Sequence, residues 1–203
     1  CSILLKMSET LMDLSEKRPD ITISENEIKE IRAVDLLMKE YEITTSNTLD
    51  SGKTYHLSID DGIKDFAGNA AEKNNFGFGI PLTPVRGDVK FNELLFNPLP
   101  GDPDFIELVN CSTWIFDVYD LRVVSVNEET RDTSDAIRLS PGHRCLLPGD
   151  LFAVTTDRQK LIGRFLSSDE NRIFEISSLP SMPDDNGHLI LLNRKLEVID
   201  EVV

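Results

Sequence analysis

The strongest constraint on this chain is the shortness and regular punctuation of its apolar runs. Ile21-Thr22-Ile23 alternates, and so does Thr54 to Ile59, which places Tyr55, Leu57 and Ile59 on one face. Phe105-Ile106-Glu107-Leu108-Val109, Leu151 to Thr155 and Leu189 to Leu192 read as half-buried or buried strands. Turn sequences bracket the runs, as in Asp50-Ser51-Gly52-Lys53 and Asp60-Asp61-Gly62. Ten prolines and eleven glycines mark the breaks across 203 residues. Short strands at this spacing predict an all-β sandwich or barrel. A hydrophobic fraction of 40% can supply a core, so a wholly disordered chain is excluded.

One segment conflicts with that pattern. Between Glu27 and Glu42, apolar residues fall at Ile28, Ile31, Val34, Leu37, Met38 and Tyr41, which is helical spacing. Periodicity alone predicts a helix there. Ile80 to Gly87 carries Pro81 and Pro84, which cannot donate to a ladder and stiffen the chain, so residues 81–87 are read as a linker. The domains expected are then 1–80 and 88–203.

Charge removes several function classes. Lys+Arg number 21 against 36 Asp+Glu, a net charge of −15. Residues 1–87 hold 10 basic and 15 acidic side chains (−5), and residues 88–203 hold 11 and 21 (−10). A nucleic-acid or anionic-lipid role is not expected, because each phosphate contact needs a cation. No run approaches the roughly 18 apolar residues of a membrane helix, so no membrane insertion is expected.

The chemistry-bearing residues are sparse. Cys1, Cys111 and Cys145 form no pair of zinc-ligand spacing. Cys111 and Cys145 either cross-link a sandwich or sit as small buried hydrophobes. Cys1 invites a lipid-anchor reading, but Ser2 to Met7 reads at once as a strand rather than a tether. His56, His143 and His188 are scattered. His143 and Cys145 share a strand face, a pairing that arises readily by chance, and no catalytic residue is assigned. Gly77-Phe78-Gly79 lacks the further glycine and helix start of a dinucleotide loop, and no cofactor is expected. Glu93 and Glu107 alternate with apolar neighbours on strands expected to be close, a pattern that suits acid–base work but that solvated strand faces also produce. Acidic turns make weak calcium candidates of Asp102, Asp104, Asp184 and Asp185, with Asp60-Asp61 beside them. None has the ligand spacing of a helix-loop-helix calcium site, and the plainer reading is turn residues.

Two resemblances organise these observations. Val89 to Pro98, followed by Asp104-Phe105-Ile106-Glu107-Leu108-Val109-Asn110-Cys111-Ser112, resembles the opening of a lamin-tail domain. Leu139-Ser140-Pro141-Gly142 leading into Leu151 to Asp157 is similar to its middle. Leu179 to Met182, Asp184 to Gly187, Leu189 to Leu192 and Val198 to Val203 are similar to its end. Tyr119 to Val123 departs from the family's Gly-Trp pair, and Trp114 comes earlier. Leu49 to Ile59, then Gly62 to Asn69, resembles a bacterial Ig-like domain of the S-layer and adhesin type. There Gly68 can take a positive φ, and Asp65 and Asn69 can bond local backbone groups.

The resemblances imply two tandem Ig-like β-sandwiches, the first with its true first strand upstream of Cys1. They imply strand and turn, not helix, for Glu27 to Glu42. They imply a non-catalytic, extracytoplasmic structural or adhesion module of a larger secreted or envelope protein, with a protein or glycan partner. The alternative is an accessory targeting or substrate-contact module of a secreted hydrolase whose catalytic domain lies outside this chain.

Overall fold

The computed structural model describes residues 1–12, 14, 20–127, 129–165, 170–181 and 187–203. The chain divides into two compact units, Cys1–Ile80 and Pro81–Val203. Both are built from β-sheet.

In the first unit, β1 (Ser2–Lys6), β4 (Glu40–Thr45) and β3 (Ile28–Ala33) form one antiparallel sheet in the order β1-β4-β3. A second sheet, β2-β5-β6, joins β2 (Ile21–Ile23), β5 (Tyr55–Ile59) and β6 (Asn74–Phe78). Period-2 alternation turns Tyr41 and Ile43 of one sheet toward Tyr55, Leu57 and Ile59 of the other, and all are buried in one core.

The helical spacing of Glu27 to Glu42 does not yield a helix. Asp35 reverses the chain there: Oδ1 accepts from the N–H groups of Lys39 (2.9 Å) and Glu40 (2.8 Å), and Oδ2 accepts from that of Leu37 (3.2 Å). These bonds replace helical ones, as short acidic side chains commonly do. Val34 and Leu37, two members of the supposed stripe, are 45% and 65% exposed, whereas Ile31 and Tyr41 are buried on separate strands. The turn expected at Asp65 also forms. Gly68 sits at φ +87° and Asp65 accepts from both the backbone and the side-chain amide of Asn69.

In the second unit, β7 (Val89–Leu95), β8 (Phe105–Asn110), β13 (Leu151–Thr155) and β14 (Ile173–Glu175) form the sheet β14-β13-β8-β7. The facing sheet, β11-β10-β15-β16, uses β10 (Arg122–Val126), β11 (Ile137–Arg138), β15 (His188–Leu192) and β16 (Val198–Val202). A short pair joins β9 (Phe116–Asp117) to β12 (Cys145–Leu146). Ile106, Leu108, Phe152 and Val154 of the first sheet meet Val123, Leu189, Leu191 and Ile199 in the shared core.

One connection is helical, which the sequence reading did not anticipate. β13 and β14 run parallel, so the chain must cross over, and α1 (Arg158–Phe165) lies within that crossover. Asp157 opens it, with Oδ1 accepting from Lys160 N–H at 3.0 Å. Leu161 then packs on Phe105, Ala153 and Ile173, on the face of the sheet turned away from the main core.

The proline-bearing segment 81–87, read as a linker, is bonded into the second unit. Leu82 N–H donates to Ile115 C=O (3.0 Å) and Gly87 N–H to Ile199 C=O (2.8 Å). The buried Asn193 amide donates to Pro84 C=O (3.0 Å) and to Glu197 Oε2, while its Oδ1 accepts from Lys195 and Glu197 N–H. Prolines remove donors but leave carbonyls, and here a carbonyl makes the attachment.

The two cysteines correct one expectation. Cys111 is exposed and Cys145 is half-buried, so neither is a fully buried hydrophobe, and no disulfide forms among the described residues.

Candidate functional site

Among the described residues, the outer face of β14-β13-β8-β7 is covered only in part. α1 lies over Phe105, Ala153 and Ile173, and beyond its end the face opens into a cavity of about 560 Å³. Leu151, Phe165 and Phe105 form apolar walls, with Glu93, Glu107 and Arg172 among the polar lining residues. Phe165 meets Phe105 edge-on at 5.7 Å between ring centroids. The register places Glu93 directly opposite Glu107, beside an irregularity in β7 between Phe91 and Glu93. The closeness expected of these two strands is therefore present. Asn92 donates to Glu107 Oε1 at 2.6 Å, and Arg172 pairs with Asp150 at 3.1 Å. Like charges opposite each other weaken a sheet.

A second cluster surrounds His143. Asp117, buried on β9, holds His143 Nδ1 through Oδ2 at 2.6 Å. Its Oδ1 accepts from the N–H groups of Tyr119 and Arg144, both at 3.0 Å. The Tyr119 ring lies 4.2 Å from the His143 ring and 3.8 Å from the Arg138 guanidinium. Cys145 stands opposite Asp117 in the register. A carboxylate bonded to one imidazole nitrogen fixes ring orientation and leaves the other nitrogen outward. Yet the His143 side chain is 75% exposed, so no enclosed, water-poor site surrounds it. Asp117 uses its bonds to tie β9 to the segment before β12. Sequence reading missed Asp117, because it lies 26 residues from its histidine and only the register brings them together.

The remaining candidates are distributed as follows. His56 is exposed, with Nδ1 bonded to Asn75 Oδ1 at 3.0 Å. His188 Nε2 is 4.0 Å from Glu201. Asp102 is paired with Arg164 (3.0 Å), and Asp60 and Asp61 flank Lys73 (3.3 and 3.7 Å). Asp104 uses its backbone carbonyl to accept from Thr155 Oγ1. Asp184 and Asp185, with the Met182 to Asn186 part of the sequence motif, lie outside the described residues. Among the described residues no group of three His, Cys, Asp or Glu side chains is placed to hold a metal ion. No helix among them is long and apolar enough to cross a membrane. The buried Asn110, part of the Asp104 to Ser112 motif, serves structure: its amide donates to Trp114 and Leu146 carbonyls and its Oδ1 accepts from Ser112.

Residues 2–79 match a family described as "Bacterial Ig-like domain". The match covers the first unit almost from end to end. No curated protein matches the chain.

Proposed function

We propose that this chain is a non-catalytic structural and adhesion segment of a secreted or envelope protein. The observation that carries this reading is the match of residues 2–79 to a bacterial Ig-like domain, a class generally used as a structural or adhesive module. The second unit, from residue 88, is read as a lamin-tail-like Ig fold. Its two facing four-stranded sheets and their shared core are in keeping with that reading. In such modules the rigid sandwich displays its edges and loops to partners. The acidic surface keeps neighbouring copies apart and disfavours nucleic acid.

The test has three arms. Protease added to intact cells producing the native protein should cleave it, which places it outside the cytoplasm. A panel of glycans and extracellular proteins should yield at least one saturable partner. Ester, phosphate and glycoside substrates should show no turnover, and turnover on any of them that survives repurification would overturn the reading.

A further inference from the structure

β2 and β3 end the two sheets of the first sandwich at one side, and β1 and β6 end them at the other, where a cleft opens. β1 and β6 each end their sheet, and among the described residues no strand pairs with the outer side of either. Between them lies a cleft of about 440 Å³. Leu5, Leu11 and Ile59, all core residues, line it, and Phe76 of β6 stands over it at 44% exposed.

The hydrogen-bond pattern shows which groups the β6 edge offers. His56 N–H donates to Ser24 Oγ (2.8 Å), and its C=O accepts from Ser24 N–H (2.9 Å). Asp60 N–H likewise donates to Asp20 C=O. Residues 56 and 60 therefore face β2, so by alternation Tyr55, Leu57 and Ile59 face β6. Their register partners Phe78, Phe76 and Asn74 point back to β5. Asn75 and Gly77 consequently turn their backbone groups outward. The Asn75 N–H is held by Asn74 Oδ1 (2.9 Å), which leaves the Asn75 C=O and both groups of Gly77 for a partner.

Composition marks the same strand. Residues 74–80, Asn-Asn-Phe-Gly-Phe-Gly-Ile, carry no charge and no proline in a chain that is 28% charged. Exposed edges are usually blunted with those very residues, and this one is not. The cleft's rim is acidic. Glu9, Asp65 and Glu72 line it against Lys6, which is itself paired with Glu40 at 2.8 Å.

We propose that the β6 edge and the cleft beside β1 accept an extended strand of a partner protein, apolar at alternate positions and basic at its ends. The partner's backbone pairs with Asn75 and Gly77 and its apolar side chains enter the cleft over Ile59 and Phe76, while Lys or Arg residues beyond the paired stretch, free of its alternation, reach Glu9 and Glu72 at the rim. A second copy of this chain is disfavoured as occupant, because each carries a charge of −15. The proposal deepens the adhesion reading by naming a partner's chemistry. A glycan partner with no strand addition would leave that reading intact and remove this one.

The probe is a short capped peptide of sequence Lys-Lys-Val-Thr-Val-Thr-Val-Lys-Lys, titrated into the full chain and followed by amide hydrogen exchange and NMR shifts. The expected result is saturable binding with new protection at Gly77 and shifts at Ile59 and Phe76. Gly77→Pro removes the outward N–H without touching the ladder to β5 and should weaken binding roughly tenfold or more. Phe76→Lys, which sets a cation at the cleft, should do the same and guards against a folding defect in the first variant. A peptide with Glu replacing Lys should bind roughly tenfold more weakly. No binding at about millimolar peptide, or binding that leaves Gly77 exchange unchanged, overturns the proposal. So does dimerisation abolished by Gly77→Pro, which would assign the edge to a second copy.

Discussion

The two units solve the same edge problem differently. In the second, β7 and β16 pack along each other at one side of the sandwich. Asp200 of β16 accepts the Phe91 N–H of β7 at 2.9 Å, and Gly87 just before β7 donates to Ile199. α1 also covers part of an outer sheet face. In the first unit, among the described residues, no strand or helix covers the side between β1 and β6, and a cleft lies there. The difference shows that sandwich architecture does not by itself fix where a binding surface lies. What fixes it is which backbone groups remain without a partner strand.

The largest expected effect contrasts the two flanks directly. Ile199 is fully buried on the closed side, so Ile199→Ala should cost about 2–5 kcal/mol through lost burial and a cavity. Phe76→Ala on the open side should cost about 1 kcal/mol or less, because the ring is already partly hydrated. Urea unfolding of the two variants checks this. Equal costs would mean that the first unit's flank is as closed as the second's.

Next in size is Asn193→Ala. The change orphans Pro84 C=O and the N–H groups of Lys195 and Glu197, and should cost about 1–3 kcal/mol. Exchange of the Leu82 and Gly87 amides should quicken in the variant, since Asn193 helps hold segment 81–87 against the second unit. Unchanged exchange at both would show that Asn193 stabilises only its own turn. In the same turn Leu196 sits at φ +63°, a strained setting for a branched side chain. Leu196→Gly should gain about 0.5–1 kcal/mol by thermal unfolding.

How far the sequence foretold this depends on the range of the interactions. The strands at Tyr55–Ile59 and Phe105–Asn110 were legible because period-2 alternation is written within a few residues and burial follows it. Glu27 to Glu42 misleads on period alone, because the deciding bonds come from one carboxylate, Asp35, to backbone N–H groups that no hydropathy pattern records. α1 could have been found: Asp157 is a good cap, and Leu161 and Phe165 are one helical turn apart. The Glu93–Glu107 pairing was legible as proximity of two alternating strands. Asp117–His143 was not, since it depends on the β9–β12 register. The open flank was invisible for the same reason: an unpaired edge is a property of sheet order, not of any one strand.

The smallest effect tests how the first unit holds its exposed turns without burial. Asp35 bridges β3 and β4, and the Glu40 N–H, aided by those of Lys39 and Leu37, holds its carboxyl below the ordinary carboxylate pKa. A folded-state pKa lowered in this way adds stability that is present above the unfolded value and lost as pH falls through the folded one. The wild type should therefore exceed Asp35→Asn in melting temperature at neutral pH, and the gap should close only in acid, below the usual carboxylate range. The neutral amide of the variant can still accept one of the bonds, so the gap is small. Asp157 of the second unit, whose carboxyl is lowered first by the Lys160 N–H and then by the Lys160 side chain, should behave alike when changed to Asn. Added salt separates the two: the Asp157 effect includes an ion pair and should shrink, whereas the Asp35 effect rests on backbone bonds and should persist. An Asp35 gap that widened toward acid would mean that the carboxyl is stabilised in its protonated form, and the turn would need a different account.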